Sequence, residues 1–119
     1  MPNTVVIGSK GEEITCSYLR EQGYRILEKN WKKSFGEIDI IALDGDFLVF
    51  IEVKSREEDL FEKPEEAMTV WKIRKVARAG EGYKNLHPEL PDALRVDFIG
   101  ITFKNGAVKN INLIKNVSQ

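Results

Sequence analysis

The chain has 119 residues, is 42% hydrophobic, and sets 18 Lys and Arg against 19 Asp and Glu for a net charge of -1. That length suits one domain, read as a single unit over residues 1–119, able to bury about two-thirds of its unfolded surface without a disulfide or metal staple. The longest apolar run spans only residues 47–51, and residues 1–9 lack a secretory-signal pattern, which excludes a transmembrane helix and predicts a cytoplasmic protein. A lone Cys16 and a lone His87 exclude a disulfide framework, a cysteine zinc cluster and most histidine-based triads, so any metal must take oxygen ligands. Near-neutrality argues against a nucleic-acid partner, but the charge is segregated. Residues 56–66 hold six acids and two bases, and residues 68–86 hold five bases and one acid.

In chain order, a first helix is predicted over residues 10–22, with Ser9 as N-cap, Glu12 completing a capping box, an apolar stripe at Ile14, Tyr18 and Leu19, and Gly23 as terminator. A short strand at Tyr24, Ile26 and Leu27 leads into a basic turn over residues 29–33. Residues 37–43 and 47–54 read as two strands of a hairpin around Leu43-Asp44-Gly45-Asp46. An acidic loop follows from Ser55. Pro64 opens a second helix over residues 65–86, with Ala67, Val70, Trp71, Ile73, Ala77 and Tyr83 toward the core and Gly80 and Gly82 weakening its end. After a loop over residues 87–92, residues 95–103 and 108–114 form a second hairpin around Asn105-Gly106. The order predicts an α/β domain with a central mixed sheet flanked by helices.

The first hairpin breaks its own pattern. Alternation puts Leu48, Phe50, Glu52 and Lys54 on one face of their strand, and Glu37, Asp39, Ile41 and Leu43 on one face of the other, with Ile38, Ile40 and Ala42 opposite. A two-residue loop at Gly45-Asp46 sets Asp39 opposite Glu52 and Glu37 opposite Lys54; a loop at Asp44-Gly45 makes Asp39 and Glu52 diagonal neighbours. Either register crowds two carboxylates and a lysine at one end of an otherwise apolar face, where like charges repel. A solvated strand end is the plain explanation. A divalent cation explains better why acids interrupt that face. Mg²⁺ held there could orient a water and polarise a phosphoryl oxygen, with Lys54 either assisting deprotonation of the water or stabilising the charged transition state.

The run Gly36-Glu37-Ile38-Asp39, then Glu52-Val53-Lys54, resembles the core motif of PD-(D/E)XK nucleases. With Gly11-Glu12, Tyr18-Leu19, Asn30-Trp31, Lys72 and Arg95-Val96-Asp97, the longer string Gly36-Glu37-Ile38-Asp39-Ile40-Ile41-Ala42 to Glu52-Val53-Lys54-Ser55-Arg56 is similar to the YraN-like family of predicted endonucleases, themselves similar to archaeal Holliday-junction resolvases. The resemblance covers roughly residues 8–114. It implies a restriction-endonuclease-like core, Mg²⁺- or Mn²⁺-dependent phosphodiester cleavage, Asp39 and Glu52 as metal ligands, Lys54 as catalytic lysine, and Glu12 as the helix glutamate completing such sites. The family departures are Thr15, Gly80 and Gly82, which bear on helix packing.

Lys72, Arg74, Lys75 and Arg78 on the second helix are candidate phosphate contacts, as are Lys32 and Lys33 beside Lys29, and Ser55 and Arg56 after the lysine. For each, a solvated face or turn is the alternative. Trp31, beside Lys32 and Lys33, could stack on a base, though an isolated aromatic there more often packs in the core; Cys16 is expected in the core, and His87 shows no partner. Three functions fit: a metal-dependent nuclease acting on branched or structured DNA, a non-catalytic nucleic-acid-binding module, and a protein-interaction domain with a structural cation. Symmetric cutting of a junction would call for a homodimer.

Overall fold

The computed structural model describes residues 4–58 and 68–117, and within them seven elements follow one another. These are α1 (Thr4–Glu21), β1 (Arg25–Lys33), β2 (Gly36–Asp44), β3 (Phe47–Glu57), α2 (Val70–Leu86), β4 (Ala93–Lys104) and β5 (Ala107–Ile114). The strands form one open sheet in the order β1-β2-β3-β4-β5. Three neighbour pairs are antiparallel, while β3 and β4 run parallel. A parallel pair needs a crossover, and α2 supplies it. The result is a mixed α/β fold with helices against the sheet, and no helix among the described residues is long and apolar enough to cross a membrane.

Each helix covers one face. Val76, Ala79 and Tyr83 of α2 pack with Trp31, Ile38, Ile41, Leu48, Phe50 and Val96. Cys16 and Leu19 of α1 pack with Tyr24, Ile40, Ala42, Val49, Ile51 and Ile99. Because β3 is covered on both sides, its continuous apolar run needs no alternation with polar residues. Gly45-Asp46 closes the first hairpin, with Asp44 opposite Phe47. Asn105 and Gly106, at φ 53 and 81, close the second with the left-handed pair that a tight hairpin favours.

Several expectations are corrected. The first helix begins at Thr4, so Ser9 lies inside it and is no N-cap. The expected basic turn over residues 29–33 is the second half of β1: its lysines point to solvent while Trp31, 7% exposed, goes into the core. Ser55, Arg56 and Glu57 extend β3, paired with β4 through Glu57↔Phe103, rather than opening a loop. The rest of the acidic stretch, Pro64 and Ala67 lie outside the described residues. The described α2 starts at Val70, where the Thr69 side chain accepts from the Lys72 backbone N–H at 3.2 Å as N-cap. Val70 and Trp71 are exposed, not core-facing. Packing against Trp31 and Phe50 selects a different face, and the buried stripe is Val76, Ala79, Gly80 and Tyr83.

Gly80 serves close packing instead of marking a weak helix end: a Cβ there would meet the Phe50 ring at 2.4 Å. Gly36, at φ 153, lets β2 begin against α2, where a Cβ would stand 2.8 Å from that of Ala79. His87 does have a partner, since Nδ1 lies 3.0 Å from the Tyr83 carbonyl and the rings stack at 4.1 Å.

Candidate functional site

The hairpin register places the acids. Pairing of β2 with β3 runs from Asp44↔Phe47 to Ile40↔Ile51 and stops there; one further step would set Asp39 across from Glu52. Beyond that point β2 stays with β1 as far as Gly36↔Lys33, and β3 stays with β4 as far as Glu57↔Phe103. The sheet therefore opens into a fork, with Asp39 and Glu52 at its crotch. Asp39 Oδ2 accepts a hydrogen bond from the Val53 N–H at 2.8 Å, which holds the fork together where the ladder has ended. Glu37 stands opposite Lys32 of β1, not opposite Lys54.

Strict alternation also fails here. Ile38 packs on the α2 side although Ile40 packs on the α1 side. The irregularity coincides with Asn30 of β1, which takes φ 52 between the pairs Lys29↔Ile40 and Trp31↔Ile38. Asn tolerates the left-handed region better than most residues. Asp39 consequently lines a recess of about 250 Å³ with Gly11, Glu12, Asn30, Val53 and Ser55. Glu52 lines a groove of about 410 Å³ on the α2 side. The fork is open toward both.

The electrostatics follow from this crowding. The Glu52 side chain is only 13% exposed. Burial first, then the charge and hydrogen bond of Asp39, push its carboxyl up to about 7, against the opposing pull of Lys72 and Lys54. Lys72 Nζ lies 3.5 Å from Glu52 Oε2. Lys72 is also the main reason that the Lys54 ammonium is pulled below its ordinary range, with burial second; Glu52 and Asp39 act the other way. Two carboxylates and two lysines thus share one partly buried space, and Glu52 and Lys54 are shifted by it. Such a cluster fits a divalent cation: the donors are oxygens, and a cation would relieve the repulsion that now favours a proton on Glu52.

Glu12 comes to the Asp39 recess but is occupied there. It accepts from Asn30 Nδ2 at 2.9 Å and pairs with Lys29 Nζ at 3.5 Å. Among the described residues no three Asp, Glu, His or Cys side chains are gathered as a ready cage. Mg²⁺ commonly takes one or two carboxylates with waters and substrate oxygens, which two acids can satisfy.

The basic candidates divide. Lys32, Lys33, Lys72 and Lys75 all line the larger groove, together with Ser34, Phe35, Glu37 and Glu52. Ser55 lines the Asp39 recess, and Arg56 turns back so that Nη1 lies 3.4 Å from the Ser55 carbonyl. Arg74 and Arg78 are exposed and line neither cavity. Sequence reasoning gives no role in the site to Phe35 or Asn30. The Ser34-Phe35-Gly36 turn between two charged stretches is the available signal for the first. It also leaves unassigned the buried cluster of Arg95 and Asp97 with Tyr24 and Asp44.

A model of the uncharacterised protein family UPF0102 matches residues 11–101, which include every residue of the fork. The chain belongs to that family. A UPF0102 protein of Thermodesulfovibrio yellowstonii is 45% identical over 101 residues, covering 84% of this chain and 88% of that protein. One from Arthrobacter is 41% identical over 96 residues, 81% of each chain. One from Geobacter metallireducens is 39% identical over 110 residues, 92% of this chain and 89% of the relative. These names give family and no activity, so for UPF0102 the chemistry has to be argued from the fork.

Proposed function

We infer that this protein is a Mg²⁺- or Mn²⁺-dependent endonuclease of the PD-(D/E)XK type, hydrolysing phosphodiester bonds in DNA of branched or structured form. The observation that carries this reading is the meeting of Asp39, Glu52 and Lys54 at the fork, beside a lysine-lined groove. Asp39 and Glu52 would hold the cation, with Glu12 close enough in the Asp39 recess to orient a bound water through its carboxylate. Bound there, Mg²⁺ or Mn²⁺ supplies polarisation of a phosphoryl oxygen and offsets the charge of the transition state. Lys54 shares the Glu52 face of β3. From that position its Nζ would either assist deprotonation of the attacking water or offset the charge of the transition state. Lys72 lowers the pKa of Lys54 and holds Glu52. The groove lysines meet flanking phosphates.

The test is cleavage of four-way junctions, flaps and single strands with Mg²⁺ or Mn²⁺, beside Asp39→Ala and Lys54→Ala. Metal-dependent products lost in both variants support the reading. Binding of DNA without turnover in any cation would leave a non-catalytic nucleic-acid module, and binding of neither metal nor DNA a protein-interaction domain.

A further inference from the structure

One little-covered aromatic ring lines the lysine groove, and a second lies against one of its lysines. Phe35 lines it and is 51% exposed; Trp71, on the first turn of α2, is 69% exposed. Single exposed apolar side chains are ordinary. These two are set in place. Phe35 lies on α2 at Gly82, where a Cβ would stand 2.3 Å from its ring, so that glycine is the seat the ring rests on. Trp31 steadies it edge-on at 5.7 Å. Gly82 costs the helix about 1 kcal/mol relative to Ala, and the seat gives that cost a purpose. Trp71 is held by Lys75, whose Nζ lies 4.8 Å from the ring centroid, and Lys75 is itself a groove residue. The rings and the cations therefore belong to one surface.

We propose that this groove takes an unpaired, single-stranded segment of nucleic acid, with its backbone along Lys32, Lys33, Lys72 and Lys75 and its bases stacked on Phe35 and Trp71. The groove sets four lysines against Glu37 and Glu52, which suits phosphates. A ring can stack only on a base whose face is free, and a duplex hides its base faces in the stack. Basic grooves flanked by aromatic platforms are the physical means of holding single strands. The proposal rests on the nuclease reading and sharpens it: the strand presented to Glu52 is the unpaired one, as in a flap or the open arm of a branched substrate.

The experiment is equilibrium binding, by anisotropy in EDTA, of a labelled oligothymidylate and of a duplex of the same length. Wild-type protein binds the single strand at least tenfold more tightly. Phe35→Ala and Trp71→Ala each weaken that binding about fivefold or more and leave duplex binding unchanged. Gly82→Ala, which keeps Phe35 but unseats its ring, weakens it in the same selective way, and Phe35→Trp retains it. Circular dichroism reports that each variant is folded. Equal affinity for the two forms, or equal losses on both, overturns the stacking proposal and leaves the nuclease reading standing. Absence of binding to either form overturns the stacking proposal, and the nuclease reading falls only if cleavage with Mg²⁺ or Mn²⁺ is absent as well.

Discussion

Removing the Asp97 carboxylate tests the buried polar cluster that ties β4 to the segments around Tyr24 and Asn116. Asp97 is 0% exposed and Arg95 9%. The Asp97 oxygens accept from Arg95 Nε and Nη2 at 2.8 Å, from the Tyr24 hydroxyl at 2.6 Å and from the Asn116 N–H at 2.9 Å. Arg95 Nη2 also reaches Asp44 at 2.7 Å, and its guanidinium lies 5.0 Å from the Phe47 ring centroid. Asp97→Ala deletes four acceptor interactions and leaves a buried guanidinium with Asp44 as its one carboxylate and the Tyr24 hydroxyl at 3.1 Å. Breaking a buried pair from one side costs about 3–5 kcal/mol. With a urea m-value of about 1.5 kcal/mol/M, the midpoint should fall by roughly 2–3 M. Asp97→Asn retains one acceptor and the packing, and should lose about half as much. Tyr24→Phe removes only the hydroxyl and should cost about 1–2 kcal/mol. Urea melts followed by far-UV dichroism give these values, provided that m is unchanged. A loss under about 1 kcal/mol for Asp97→Ala would refute the reasoning, because it would mean that water or Asp44 satisfies Arg95 without help.

The Arg95 hydrogen bond holds the Asp44 carboxyl below its ordinary range; burial, next in size, opposes it, and Lys115 adds to the lowering. The contribution of Asp44 is therefore complete above about pH 4 and is lost as pH falls through the lowered folded value, so Asp44→Asn should flatten the acid limb of a stability–pH profile. Gly80→Ala gains about 1 kcal/mol of helix propensity but drives a Cβ into Phe50, and a net loss of about 1–2 kcal/mol in denaturant melts is expected. For the fork the sign reverses. Glu52 is raised from 4.5 to about 7 by burial and Asp39, so metal-free protein should lose stability as pH rises between those values, and Glu52→Gln should be more stable than wild type at about pH 8 in EDTA while losing cleavage. A destabilised Glu52→Gln variant under those conditions would show that the carboxylate is a structural partner of Lys72.

How much of the fold and of the fork is legible in the sequence depends on how local each signal is. The hairpin at Gly45-Asp46, the alternation of Phe50 and Glu52 along β3, and the turn at Asn105-Gly106 rest on near neighbours. The two-residue loop brings Asp39 to the end of the ladder beside Glu52, although alternation in β2 breaks at Ile38. What escapes is set by distant pairing. The residues of β1 look like a turn because lysines dominate them; only β2 alongside makes them a strand. Trp71 fits a stripe read from apolar residues alone, whereas the face that packs on the sheet is the one on which Ala79 and Gly80 let Phe50 approach. Glu12 suits capping and the site equally on sequence grounds. The earlier start of α1 removes the cap, and Asn30 and Lys29, brought in by β1, hold the side chain beside Asp39.

The fork explains why the acids are tolerated where they stand. In a continuous ladder, Asp39 and Glu52 would face each other with side chains fixed by pairing on both flanks, and the repulsion would fall on the β2–β3 hydrogen bonds themselves. Here those bonds have already ended at Ile40↔Ile51, and each strand leans on its outer neighbour, β2 on β1 and β3 on β4. The strain of two nearby carboxylates is therefore borne by side chains that can move, while both backbones remain laddered on the far side. Asp39 commits Oδ2 to the Val53 N–H, and its carboxylate still raises the Glu52 carboxyl. That arrangement lets two strands keep their ladders while their facing ends gather two carboxylates and two lysines in one partly buried space.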